Sequence, residues 1–319
     1  MSELAHHYAL YGLTLQSNRR LPGLPPARGS EDVVIIDFAG HVEEDPDATP
    51  FWTNGFETLW HIDDKTWLLA YRAAEVDGHR WTLRCDGGER VTVRWDSDEL
   101  LSDIPAVLQG PGIAAALHLR DVPLLHACVI DVGGGAILVL GAPGAGKSTT
   151  AAALVRSGFP LVSDDLAALS LRGRDVFVHA GFPRLRLFAD SALAAGWDPS
   201  HLSRAFVTPL LGDKRFVDVA GGSFTPDALP VRAIYMLQPR RSGGGNPVVT
   251  AIDRGAAWAL LAQNVYSLRF LDPTRRFRSV RDCATVAARV PLWSVEAGDD
   301  LAALPRLVEV LTSNVGAVS

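Results

Sequence analysis

The sequence is poor in cysteine, in long apolar runs and in clustered positive charge, and each shortage removes a class of protein. Its three cysteines, Cys85, Cys128 and Cys283, are far apart and make no CxxC pair. Neither a disulfide framework nor a cysteine zinc site follows, and a reducing cytoplasm is expected. The most apolar stretch, Ala136 to Leu140, is too short to cross a bilayer, so no membrane role is expected. The start, MSELAHHYALYGLTLQSNRR, lacks a basic segment followed by a long apolar one and does not read as a signal peptide. No basic block stands out and the formal charge is −6, which argues against general nucleic-acid binding.

What is present reads as a folded α/β chain. The 319 residues suffice for two domains of ordinary size, with 48% hydrophobic and 21% charged residues. Up to about residue 100, DVVIIDF, TLWHI, TWLLAYR, WTLRC and RVTVRW alternate with turn formers such as DDK and DGGE. This pattern predicts a small β-rich domain over 1–100. Five of the eight tryptophans fall there (Trp52, Trp60, Trp67, Trp81, Trp95), either filling its core or forming a surface that grips a peptide. From LSDIPAVLQGPGIAAALHLRDV onward the apolar spacing turns helical, which puts a second domain at 101–319. In it PLLHACVID and GAILVLG read as strands, KSTTAAALVRSG as a helix ending at Gly158, and PLVSDD as the next strand. RDVFVHA, RLRLF and VRAIYMLQP follow as strands, DRGAAWALLAQNVY and DLAALPRLVEVLTSN as helices, and RRSGGGNP as a surface loop.

Between GAILVLG and the helix lies Gly141-Ala142-Pro143-Gly144-Ala145-Gly146-Lys147-Ser148, a full GxxxxGK[ST] pattern between a strand and a helix. Its glycines let backbone N–H groups turn toward phosphate oxygens, and the helix N-terminus adds partial positive charge. Lys147 can reach the β and γ phosphates, and the Ser148 hydroxyl can ligate Mg²⁺. The expected nucleotide-binding set runs from Gly141 to Thr149.

Asp164 and Asp165 close the next strand. In a parallel α/β sheet the C-terminal strand ends form the ligand crevice, so both acids should lie near the phosphates. One acid is expected as a ligand to the metal or its water. The second is either a base for an attacking hydroxyl or a cap for the following segment. His126, in LLHACVID, is either a core residue of the strand before the glycine loop or part of the proton-handling group.

The run from His126 to Leu169 resembles the catalytic domain of HPr kinase/phosphorylase. That family carries a histidine before a GxxGxGKS loop and an LV-x-DD strand end, and here His126, GAPGAGKS and LVSDD follow in that order. The resemblance implies a P-loop kinase domain preceded by a smaller β-rich one. It implies ATP and Mg²⁺ as cofactors, Lys147 and Ser148 on phosphate and metal, and Asp164 as the base. Asp165 would help hold the metal, and His126 would assist proton handling. The family's second, EIRG-like motif has GFPRLRLF (181–188) as its nearest counterpart, with Arg184 and Arg186 but no glutamate. These arginines either stabilise charge on the phosphoryl group or line a solvated strand edge.

The opening YALYGLTLQSNRRLPGLPPA is similar to HPr-kinase-like proteins associated with ribosomally made peptides, notably lasso-peptide precursor kinases. It implies a serine hydroxyl on a peptide or small protein as the phosphate acceptor. DKRFVDV, with Lys214 and Arg215, fits the same group loosely. HPr-type kinases form hexamers, which leaves a homo-oligomer open. The alternatives are a metabolite kinase, a relative of ATP-dependent phosphoenolpyruvate carboxykinase, or a binding module gated by nucleotide without transfer.

Overall fold

The computed structural model describes residues 5–27, 31–42, 45–72, 80–98, 108–205, 213–219, 221–243 and 245–313. The expected domain boundary near residue 100 lies outside them. The chain divides into two units. One comprises Met1–Val122, Arg204–Lys214 and Ser267–Arg275, and the other Pro123–Ser203, Arg215–Tyr266 and Arg276–Ser319.

Alternating β-branched and aromatic residues build the first unit as one eight-stranded sheet. Its strands are β1 (His6–Leu10), β2 (Leu13–Ser17), β3 (Val33–Gly40), β4 (Trp52–Thr53), β5 (Glu57–His61), β6 (Thr66–Arg72), β7 (Arg80–Asp86) and β8 (Arg90–Trp95). They are ordered β1-β2-β3-β8-β7-β6-β5-β4. From β4 to β8 they run as an antiparallel meander, while β3 lies parallel to both β2 and β8. Helix α1 (Ile113–Leu119), which follows a kink at Gly110, packs on β7 and β8. Trp60, Trp67 and Trp81 are buried, Trp52 and Trp95 half-buried. Most of this aromatic surface therefore serves packing.

The second unit holds β9 (Leu124–Leu125), β10 (Cys128–Asp131), β11 (Ala136–Gly141), β12 (Leu161–Ser163), β13 (Ala167–Arg172), β14 (Asp175–His179), β15 (Arg184–Phe188), β16 (Lys214–Asp218), β17 (Leu229–Leu237), β18 (Val248–Ala251) and β19 (Leu292–Glu296). Its helices are α2 (Lys147–Arg156), α3 (Ala189–Ala194), α4 (Arg254–Gln263), α5 (Pro273–Arg289, whose first turn belongs to the first unit) and α6 (Leu304–Ser313). Strands β11, β17 and β19 are parallel neighbours. Strand β10 forms a hairpin with β11 and separates it from β12. The sheet is therefore mixed, where a parallel one was expected. Both β11 and β12 oppose β10, so they run the same way and end at the same sheet edge. Strands β15 and β16 pair apart from it.

Apolar spacing explains how the helices cover this sheet. In α6 the buried Leu304, Leu307, Val308 and Leu311 recur at helical intervals and face α2. From α2, Ala151, Ala152, Leu154 and Val155 join Ile130, Ile137, Val139 and Tyr235 of the sheet in one core. The small alanines let α2 approach the sheet closely. Each leucine buried there contributes about 1.5–3 kcal/mol, which holds the loop ahead of α2 in place.

Candidate functional site: a glycine turn and a braced acid pair

Strand β11 ends at Gly141, and the chain turns through Ala142, Pro143 and Gly144, all exposed, before α2 begins at Lys147. Gly141, Gly144 and Gly146 have φ of 150°, 82° and 95°, values that a side chain makes costly. Ala145 folds back into the core. Gly146 caps α2 in a left-handed conformation, and no side chain caps the helix. The Lys147 ammonium is buried and donates to the carbonyls of Gly141 (2.7 Å) and Ala142 (3.5 Å). Ser148 is half-buried. The Thr149 hydroxyl bonds Ser191 of α3 at 3.0 Å, so it faces that helix.

Register places the acids at this same edge. Cys128 pairs with Val139, two residues before Gly141, and Val129 pairs with Ser163, directly before Asp164. Asp164 is 9% exposed, and both its oxygens are engaged. Oδ1 accepts from the Cys128 thiol at 3.0 Å, and Oδ2 accepts from the backbone N–H of Arg186 at 2.8 Å. Burial, and then the charge of Asp165, push the Asp164 carboxyl above its ordinary value of 3.8, while Arg186 and the thiol pull it back. Burial also raises the Cys128 thiol well above its usual value, so the sulfur stays protonated and donates.

Asp165 is more open and has φ of 71°. A non-glycine residue in that region costs on the order of 1–3 kcal/mol and persists only where neighbours hold it. Its neighbours do so. Arg186 forms an ion pair with it, the Tyr266 hydroxyl donates to Oδ2 at 3.4 Å, and His126 Nε2 lies 3.4 Å from Oδ1. The His126 and Tyr266 rings stack at 5.7 Å. His126 lies in the two-residue break between β9 and β10, not within a strand as expected. Its backbone N–H donates to Asn264 O instead (2.7 Å).

Of the two arginines, Arg186 alone joins the acids. Arg184 pairs with Asp218 and stacks 5.1 Å over Phe216, so it belongs to the β15–β16 ribbon. Lys214 and Arg215 open β16 and are half-buried. Sequence reading missed Cys128 and Tyr266. The alternation of β10 placed the thiol on the same face as Ile130, which reads as core. Nothing local ties Tyr266 to a site more than a hundred residues earlier.

No family model matches the chain. Over 66 residues it is 38% identical to the HPr kinase/phosphorylase of Shouchella clausii (strain KSM-K16), a match over 21% of each protein. The chain thus spans about a fifth of the length of that curated relative. Among solved structures it is similar to the Hpr(Ser) kinase/phosphatase from Coxiella burnetii at 11% identity and a TM-score of 0.34, over 61% of this chain and 90% of that one. The curated relative carries the name of the family that the stretch from His126 to Leu169 resembles.

Proposed function

We propose that the chain is an ATP-dependent phosphotransferase of the HPr-kinase type, acting on a hydroxyl of a peptide or small protein. The observation that carries this reading is the braced acid pair at the sheet edge where the glycine turn also leaves the sheet. Lys147 and the N–H groups of the turn and first turn of α2 would hold the phosphates. Asp164, whose carboxyl burial pushes above its ordinary value, would accept the hydroxyl proton as the acceptor oxygen attacks the γ phosphorus and ADP leaves. Arg186 and His126 would keep Asp165 aimed.

Mg²⁺ fits the donors present. It takes oxygen ligands and commonly uses one or two from protein, with phosphates and water completing the shell. Ser148 and Asp165 are such donors, and the ion would neutralise phosphate charge. A serine near the end of a ribosomally made, lasso-type precursor peptide is the finer acceptor that the opening sequence suggests.

A second reading exchanges the two acids. Asp165 is the more exposed and touches His126, so it has the easier access to an incoming hydroxyl. Incubation with ATP, Mg²⁺ and serine-containing peptides should add one phosphate by mass. Asp164→Asn should bind ATP and lose on the order of 10²–10⁴-fold in transfer. Normal transfer by Asp164→Asn with loss in Asp165→Asn would exchange the roles. Transfer to small metabolites alone would favour the metabolite kinase, and ATP binding without transfer to any hydroxyl would favour the gated binding module.

A further inference from the structure

Strand β17 ends at Leu237, which is paired in parallel register with Gly141. The two chains therefore leave the sheet side by side, one into the glycine turn and one into Gln238-Pro239-Arg240. The Arg240 side chain comes back to the turn. A methyl group built on Gly146 would stand 2.7 Å from its Nε and 2.8 Å from its Cζ, so the guanidinium lies against the residue that caps α2. On its other side Nη1 donates to the carbonyl of Gly298 at 3.0 Å, just past the end of the parallel neighbour β19. Three consecutive elements of the sheet edge thus fix where this cation sits.

Among the described residues, no carboxylate lies within ion-pair distance of Arg240, although Arg241 next to it pairs with Glu296. Arg240 is half-buried, and burial lowers its pKa, with Asp299 acting in the opposite sense. A partly desolvated cation costs free energy unless an anion meets it. Here it stands beside a helix N-terminus whose N–H groups have no side-chain cap, which is where anions are favoured. The planar guanidinium meets two phosphate oxygens in a fixed, bidentate fork, a geometry that an ammonium lacks. Lys147 is parked on its own loop carbonyls, so the turn offers two cations of different geometry.

We infer that Arg240 is a phosphate contact of the nucleotide site, a second cation beside Lys147 that makes the turn prefer polyphosphate over nucleoside. This rests on reading the glycine turn as a nucleotide site. It also accounts for Gly146, since any side chain there would displace the guanidinium.

Calorimetric titration of the full chain with ATP and with adenosine tests it. Arg240→Met keeps the apolar stem and removes the charge. The expected result is an ATP dissociation constant weakened about ten- to a hundredfold, as for a lost charged hydrogen bond, with adenosine binding unchanged. Arg240→Lys should recover part of the loss, because it restores charge without the fork. ATP binding by Arg240→Met within twofold of wild type, or an equal loss for ATP and adenosine, would overturn the assignment and leave Arg240 as packing only. Should Arg240→Met not fold, Arg240→Lys decides alone, and ATP affinity equal to wild type sinks the idea. A wild-type chain that binds no ATP would instead remove the nucleotide reading beneath it.

Discussion

The thiol of Cys128 donates to the carboxylate of Asp164 across 3.0 Å, with both side chains enclosed. The bond favours the charged acid and opposes the effect of burial. Cys128→Val keeps volume and removes the donor, so the Asp164 carboxyl should rise further. If Asp164 is the base, the acid limb of the rate–pH profile moves to higher pH. The lost bond is worth about 1 kcal/mol, which moves the limb by about 0.7 of a pH unit and lowers the rate roughly fivefold on its acid side. Cys128→Ser restores a donor and should move the limb back. A Cys128→Val limb that stays at its wild-type pH would separate the thiol from proton handling.

The opposite balance holds for stability. A carboxyl whose folded value is raised favours the fold when protonated, so Asp164 contributes stability below 3.8 and loses it as pH rises through its folded value. Asp164→Asn should therefore unfold at a higher temperature than wild type at neutral pH, with the gap closing in acid. Lower stability of the variant at neutral pH would mean that the bonds from Cys128 and Arg186 outweigh desolvation.

The strand and helix pattern around the glycine turn was legible because it is local. The turn needs glycines, the helix needs a repeating apolar stripe, and both are written in adjacent residues. All five strands expected between residues 32 and 95 form. Helix α5 went unread: its buried face is only Cys283, Val286 and Ala287 on an arginine-rich helix, so polarity hid the stripe. Strand β19 follows directly and is too short to announce itself. At the site, the adjacency of Asp164 and Asp165 was visible, but their different surroundings were not. Those depend on Cys128, Arg186 and Tyr266, which tertiary packing brings from three separate elements. For the same reason Arg184 and Arg186 read alike in sequence and differ in space. Alternation on β15 puts both on one face, yet the partners of each come from elsewhere.

Two glycines of the turn should respond differently to substitution. An added methyl at Gly141 would stand 2.8 Å from the Leu237 carbonyl and 3.1 Å from Ala145 Cβ. The first is backbone held in the parallel β11–β17 ladder and cannot swing away. At Gly144 nothing lies within 4 Å, so only the positive φ is costly. Gly141→Ala should lose about 2–4 kcal/mol, from strain added to overpacking, and Gly144→Ala about 1 kcal/mol. Denaturant midpoints at fixed protein concentration would give the ranking. Equal losses would show that the β11–β17 contact yields more easily than its geometry suggests.

Acid sensitivity should come from two histidines, one in each unit. His61 is sandwiched between Phe51 and Trp67, with ring centroids 3.9 Å and 4.8 Å away, and its Nε2 bonds the Phe270 carbonyl at 2.9 Å. Burial is the largest influence and lowers its pKa below 6.5. Phe270 O and Asp272 raise it, and Arg275 lowers it. His179 is lowered too, by burial and then by Arg172. A histidine kept neutral by the fold stabilises it fully above 6.5, and that contribution is lost as pH falls through the folded value. Thermal unfolding should therefore be insensitive to these groups at pH 7–8, with the midpoint falling steadily once the pH drops below 6.5. His61→Gln and His179→Gln should each flatten that fall while lowering the neutral-pH midpoint, since each also removes ring packing. A double variant that retains the full wild-type slope would assign the acid sensitivity to carboxylates instead.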